Sequence, residues 1–315
     1  MSSPEEPASG GGNQVGKTAI GLVSDPLSDL PVGASITFNP IVFGGSNAND
    51  RPQSVNNWEV FKGAIFSVVL KSANSSSIIG SAFMIAPGIA ITASHLISDI
   101  LDDLQKGNII PYCLGIRGTT VEIWRVVKFS YDSADDTTVL SIAPVSALPK
   151  DGQYYRMGLT TRAPKNGEKL HIVGFRSETL TQDSNPTFSG HMYTSVGTVA
   201  AVYPDGRDRV LMPYPVIELN CGSLGGMSGG AAIDEHGFVM GIVSRGFETA
   251  DGDGPTYVSW IINAMARVLE VPWPPGAYKT RVSLLSLDDQ TIVIEGREAL
   301  AGTTDKGMMY KPWFE

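Results

Sequence analysis

Cysteine is nearly missing from this chain: 315 residues carry two, Cys113 and Cys221. Two thiols in a chain of this size exclude a disulfide framework and point to reduced cysteines in a cytosolic protein. Histidine is scarce too, with four copies, none paired with Cys, Asp or Glu at metal-ligand spacing. No metal and no other cofactor is therefore expected. Positive charge is in deficit, 23 Lys and Arg against 32 Asp and Glu, for a net charge of -9. That balance argues against a nucleic-acid or anionic-membrane surface, which needs clustered cations. No apolar run approaches a membrane span, and the start, MSSPEEPASGGG, has neither the basic residues nor the apolar stretch of a secretory signal. The expectation is a cytoplasmic protein without membrane or nucleic-acid partners.

What is present suffices for a large core, since 42% of residues are hydrophobic and only 17% are charged. Residues 1–16 read as a disordered tail and 17–57, broken by Pro and Gly, as an extended lead-in. Short β-branched or aromatic runs then alternate with Gly, Asn and Asp turns, at 64–70, 78–86, 88–94, 120–129 and 137–143. An amphipathic piece at 97–107 has helical spacing. A second series follows at 151–158, 169–175, 192–203, 210–219, 237–244 and 255–261, and closes with a helical pattern over 261–270. Two such blocks predict an all-β fold of two six-stranded antiparallel β-barrels, 58–150 and 151–270, with a C-terminal helix. Residues 271–315 form an extension in which 281–295 reads as a hairpin.

One motif is rejected. Residues 11–18, GGNQVGKT, match the phosphate-binding pattern G-x-x-x-x-G-K-[ST]. That chemistry needs a buried strand before the loop and a helix after it, and the polar stretch MSSPEEPASG cannot supply the strand.

Residues 225–234, GGMSGGAAID, carry the sharper signal. Four glycines surround the single hydroxyl of Ser228 and an apolar run follows. A glycine-serine turn is the plain reading; a backbone shaped to present a nucleophile is the other. A serine hydroxyl attacks only when a base takes its proton. Of the histidines, His236 reads as a turn residue, His171 as a half-buried strand residue and His191 as a strand start. His95 ends the apolar run APGIAITASH between small neighbours, which delivers it to a strand edge. Asp136 starts the strand-like DTTVLSIA, with Asp135 one register off and facing the other way. Taken singly, these also read as a core histidine and a turn aspartate.

Together, TASH, DTTVLSI and GGMSGG stand in the order His, Asp, Ser, and this order resembles the chymotrypsin-like serine peptidases. The resemblance covers about residues 58–270 and includes GIVSRG (241–246) as a substrate-pairing strand and GPTYVSW (254–260) as a closing strand. It implies Ser228 as nucleophile, His95 as general base and Asp136 as its orienter. It also implies an oxyanion hole from the N–H groups of Gly226 and Ser228. The first pocket would be walled by Gly222, Ser223, Leu224 and Gly225, by Ser244, Arg245 and Gly246, and by Gly254. Met227 stands where zymogen-activated members carry an aspartate, and Val243 where glutamate-specific members carry a histidine. Met227, together with Cys113 and Cys221 that do not reproduce the family's secreted disulfides, points to an intracellular, non-zymogen branch similar to HtrA-like and V8-like peptidases, while Val243 argues against glutamate specificity.

The resulting expectation is a serine endopeptidase acting on protein or peptide substrates. The alternative is an inactive double barrel that binds peptides or partners. An esterase of the G-x-S-x-G type is excluded by the strand, rather than helix, after the serine. Control is assigned to the non-barrel segments or to a regulatory partner bound at either extension. A wide, uncharged first pocket would favour an apolar side chain, unless Glu248, Asp251 and Asp253 reach its floor and select Arg or Lys.

Overall fold

The structure, a computed structural model, describes residues 36–314 apart from 74, 132–134, 177, 181–189, 248–253, 280 and 305–306. The tail, the first part of the lead-in and the GGNQVGKT motif lie outside the described residues, as do Glu248, Asp251 and Asp253.

The first barrel is built from β1 (Ile65–Lys71), β2 (Ser76–Ala86), β3 (Ile89–Ala93), β4 (Ile110–Arg117), β5 (Thr120–Tyr131) and β6 (Thr137–Pro144). Neighbours run β2-β1-β4-β5-β6-β3, and antiparallel pairing of β3 with β2 closes the ring. The second comprises β7 (Lys169–Phe175), β8 (Met192–Tyr203), β9 (Val216–Leu219), β10 (Ala231–Ile233), β11 (Val239–Gly246) and β12 (Thr256–Trp260). Its order is β10-β7-β8-β9-β12-β11, and β10 pairs with β11 to close it. All these pairings are antiparallel.

Alternation along the strands divides the apolar residues between two destinations. In β1, Phe66 and Val68 fill the barrel with Cys113, Trp124 and Leu140, while Ile65 joins the cluster between the barrels. Leu170, Ile172, Ile217, Leu219 and Met240 fill the second barrel around Cys221. Val173, Phe175, Ile233 and Ile242 turn outward to meet Phe83, Ile91 and Ala93 of the first. The seam between barrels is thus a continuous apolar layer, and the site lies along its edge.

Several elements differ from expectation, each for a local reason. β4 was not predicted, because Pro111 and Gly115 interrupt its apolar run. Gly115 is there for close approach: a Cβ would fall 2.3 Å from the Gly63 carbonyl. Residues 153–157 do not enter the second barrel; they pair in parallel with Thr37–Ile41 of the lead-in. Tyr154 from this pair instead plugs the first barrel, 4.8 Å edge-on to Trp124. Of 210–219, only Val216–Leu219 is strand, since Pro213 and Pro215 precede it. The piece at 97–107 forms two short helices, Ser94–Ser98 and Leu101–Gln105. The C-terminal helix is a 3-10 helix over Ile261–Ala266. It ends at Arg267, whose backbone is extended and whose guanidinium pairs with Asp135.

Residues 281–295 do not fold back on themselves. Val282–Ser283 pairs with Val268–Leu269, and Ile294–Glu295 lies parallel to Leu159–Thr160. The C-terminal hairpin forms further on, Leu300–Thr304 with Gly307–Tyr310. No helix among the described residues is long and apolar enough to cross a membrane. Cys113 and Cys221 are both free and buried.

The extension also closes the first barrel. Trp273 is 2% exposed and sits edge-on to Trp124 at 5.3 Å and to Tyr154 at 6.2 Å. Trp273→Ala is expected to cost about 3–5 kcal/mol, read as a lowered denaturation midpoint in urea. A surface-like loss under about 0.5 kcal/mol would show that the plug contributes nothing.

Glu122 adds a pH term. It is buried beside Arg117, and burial first pushes its carboxyl up to about 8. Because the folded value is the raised one, its stabilising share is complete below the unfolded value and is lost as pH rises toward 8. Thermal melts from pH 5 to 8.5 should show this decline, and Glu122→Gln should flatten it.

Candidate active site

The pairing of β3 with β6 sets the first half of the site. Ala93 lies opposite Thr137, so the residues just after β3 meet those just before β6. Ser94 N–H donates to the Asp136 carbonyl at 3.0 Å, and His95 N–H donates to Asp136 Oδ1 at 2.9 Å. With its backbone held on the carboxylate, His95 places Nδ1 3.0 Å from Oδ1 and 2.9 Å from Oδ2. A carboxylate only accepts, so Nδ1 carries the proton of this contact and Nε2 is the nitrogen left for other partners. Asp136 is nearly buried, at 5% side-chain exposure, and His95 keeps 23%. Asp135 turns the other way, accepting from Thr137 N–H and pairing with Arg267.

Asp136 has a third donor. Ser244 Oγ, on β11, donates to Oδ2 at 2.5 Å, and the Tyr214 hydroxyl lies 2.9 Å from Ser244 Oγ. Tyr214 had no signature in the sequence. It stands between two prolines in a segment read as strand.

Glycine builds the second half. Gly226 and Gly229 have φ of 97° and 82°, the left-handed region that L side chains disfavour. A Cβ on Gly229 would also fall 2.1 Å from the Ser81 carbonyl, and one on Gly230 2.1 Å from the Val173 carbonyl. The loop is therefore pressed against β2 and β7. Ser81 fixes it there: its N–H donates to the Ser228 carbonyl at 2.7 Å, and its hydroxyl to the Gly226 carbonyl at 2.9 Å. Met227 N–H is taken by the Leu224 carbonyl and Gly229 N–H by the Val243 carbonyl. The N–H groups of Gly226 and Ser228 have no acceptor among the described residues. Met227 is fully buried in the core of the second barrel, so packing rather than an ion pair holds this turn.

Ser228 is half-buried and opens on the same cleft as His95. Its hydroxyl donates to the Ser244 carbonyl at 3.2 Å, and no hydrogen bond joins it to His95 among the described residues. The cleft encloses about 560 Å³. Ser223, Leu224, Gly225, Ser244, Arg245 and Gly246 line it. Leu211, Val243 and Phe247 line it too, and nothing in their sequence neighbourhood marked the first or last of these. Gly222 and Gly254 are buried and do not appear on the lining. Gly222 is occupied structurally, its N–H on the Asp50 carbonyl and its carbonyl on Ser195 Oγ. The space opposite Gly246 is not empty, because a Cβ there would be 2.2 Å from Ser223 Oγ. The pocket is accordingly narrower and more polar than its glycines suggest.

The described His and carboxylate group that could gather round an ion, Asp234, His236 and Glu295, does not include these site residues.

A double antiparallel barrel with a histidine on an aspartate and a serine loop across the seam is the build of the trypsin-like peptidases. The family model for the trypsin-like peptidase domain matches residues 80–242, just over half of the chain, and the chain belongs to that family. Among solved structures, an inactive form of Rv3671c from M. tuberculosis H37Rv is similar at 18% identity, over 64% of this chain and 82% of that one, with a TM-score of 0.40. Deg5 is similar at 14% identity, over 64% and 85%, with a TM-score of 0.42. The HtrA-type protease AlgW with a tripeptide is similar at 18%, over 63% and 56%, at 0.43. No curated protein matches the chain.

The loop geometry makes Gly229 a sensitive position. Gly229→Ala adds a clash with backbone and a left-handed penalty, about 3 kcal/mol together, and should lower both Tm and the folded yield. An unchanged Tm would mean that the loop does not press on Ser81.

Proposed function

We propose that the chain is a serine endopeptidase that hydrolyses peptide bonds of protein substrates. The observation that carries this reading is the His95–Asp136 contact at 2.9 Å opening on one cleft with Ser228. In this reading His95 Nε2 takes the Ser228 proton as Oγ attacks the scissile carbonyl. Asp136 stabilises the imidazolium and keeps its tautomer. The N–H groups of Gly226 and Ser228, without an acceptor among the described residues, receive the oxyanion, a contribution of about 10²–10³ in rate per donor. His95 then protonates the leaving amine, and water repeats the sequence on the acyl-enzyme.

An extended substrate would pair with the end of β11 at Ser244 to Gly246, of which Arg245 and Gly246 are exposed, as an added strand. Its N–H brings a second donor to the Ser244 carbonyl that now holds Ser228 Oγ, and a side-chain rotation returns that hydroxyl to His95. In the apo state such contacts are often long and tighten only with substrate. The same observation favours the second reading, an inactive peptide-binding barrel in which Ser228 stays on Ser244. A fluorophosphonate probe separates the two, since only an activated serine is labelled.

The lining mixes the apolar side chains of Leu211, Leu224, Val243 and Phe247 with the hydroxyls of Ser223 and Ser244, and Arg245 is its exposed cation. Apolar side chains at the cleaved position and acidic ones nearby fit this surface, while Arg and Lys meet a like charge. We assign regulation, including any partner, to the segments outside the barrels, and two buried free thiols suit a reducing, cytoplasmic setting.

Ser228→Ala is expected to abolish turnover and labelling with the fold intact, and Asp136→Asn to lower kcat by about 10⁴. Full activity in Asp136→Asn would remove that residue from the mechanism. In a positional-scanning peptide library, preference for acidic residues beside the cleaved bond should be lost in Arg245→Ala. A strong preference for Arg or Lys would overturn the assignment of the cleft.

A further inference from the structure

Tyr214 approaches the carboxylate of Asp136 from behind, through one intervening hydroxyl. Its own hydroxyl is 2.9 Å from Ser244 Oγ, and that oxygen is 2.5 Å from Asp136 Oδ2. A carboxylate only accepts, so the Ser244 proton is committed to Asp136. The proton in the other contact is then the phenol's. Donation runs in one direction: Tyr214 to Ser244, Ser244 to Asp136, with His95 Nδ1 donating to the same carboxylate. All three inner members are buried, Tyr214 at 6%, Ser244 at 1% and Asp136 at 4% exposure. Away from water such chains polarise cooperatively, and each link strengthens the next.

The surroundings keep Tyr214 a donor. Burial first, and the Asp136 charge second, hold its phenol above the ordinary range; the Ser244 contact and then Arg245, facing it from β11, act in the opposite sense. Asp135, the other carboxylate at this end of β6, is turned onto Arg267.

The backbone that carries Tyr214 is itself fixed. Asp208 Oδ1 accepts the N–H groups of Val210 at 2.9 Å and Leu211 at 2.6 Å. Arg207 lies over the Tyr257 ring at 4.6 Å, which anchors the start of the same turn. This one turn presents Leu211 to the cleft and Tyr214 to Ser244.

We propose that Tyr214 is a positioning residue for the reaction: through Ser244 it orients Asp136 and draws off part of its negative charge, so that the cleft-wall turn and His95 are linked. The proposal rests on the serine-peptidase reading above and deepens it. Without the phenol, Asp136 carries more charge and holds a proton on His95 more strongly.

Tyr214→Phe keeps the ring and removes the donor. In the full chain it should lower kcat about tenfold with KM little changed. The acid limb of the kcat/KM–pH profile should move to higher pH. The His95 Nδ1 proton, followed by NMR, should shift downfield, and this readout needs no turnover, so it can be recorded in Ser228→Ala as well. Ser244→Ala cuts the same chain one link nearer and must shift the resonance in the same sense, which keeps the test open if Tyr214→Phe folds poorly. In a double-mutant cycle, Tyr214→Phe should add nothing once Ser244 is alanine. An unmoved Nδ1 resonance in both variants, or fully additive losses, would overturn the proposal. Absence of turnover and of fluorophosphonate labelling in the unmodified chain would instead defeat the peptidase reading, while the resonance still reports on the hydrogen-bond chain.

Discussion

Ser81 is where the two barrels become one site. Its N–H and hydroxyl hold the Ser228 and Gly226 carbonyls, and its hydroxyl oxygen accepts from Phe175 N–H at 2.7 Å. A residue of β2 thus supports the serine loop and β7 together. The apolar seam supplies the attraction between barrels, but attraction without direction would let them slide. The three hydrogen bonds of one buried serine, together with glycines cut away at 174, 229 and 230, fix the register at which they dock. His95 and Ser228 come from different barrels, so their relation depends on that register.

The hydrogen bonds on Asp136 show the same economy of position. Its two oxygens receive a backbone N–H, an imidazole N–H and a hydroxyl, and every donor is set by an element of regular structure. Among the described residues these donors, and no Lys or Arg, meet the buried carboxylate. Asp135, adjacent in sequence and equally buried, takes the cation instead, through Arg267 from beyond the second barrel. Two neighbouring aspartates are separated in role by the period of two that governs a strand start.

What could be read from the sequence follows from how local each signal is. The strands 192–203 and 169–175 were legible because no proline breaks their β-branched and aromatic runs. β4 was hidden by Pro111 and Gly115, whose reasons lie in distant neighbours such as Gly63. The glycines around Ser228 drew the eye because a run of them is costly. Ser81 and Tyr214 did not, being ordinary residues in ordinary contexts that matter through partners more than 25 positions away. The expected helix at 261–270 forms only over Ile261–Ala266, because beyond it Arg267 is extended and pairs with Asp135 and Val268–Leu269 pairs as strand, contacts that helical spacing does not encode. Residues 281–295 looked like a hairpin because two apolar runs flanked DDQ, while in the fold each run found a better edge to pair with.

The two thiols acquire a use from where they sit. Cys113 lies in the core of the first barrel and Cys221 in that of the second, with burial pushing their thiols up to about 12 and about 11. Neither can react while its barrel is closed, because both the thiolate and the access are lacking. Each barrel therefore contains one reporter of its own opening and none of its neighbour's. Modification rates of the two, followed separately by mass spectrometry under rising denaturant, would time the loosening of the halves against each other. Coincident rates would describe a single cooperative body, and divergent rates would identify which half lets go first.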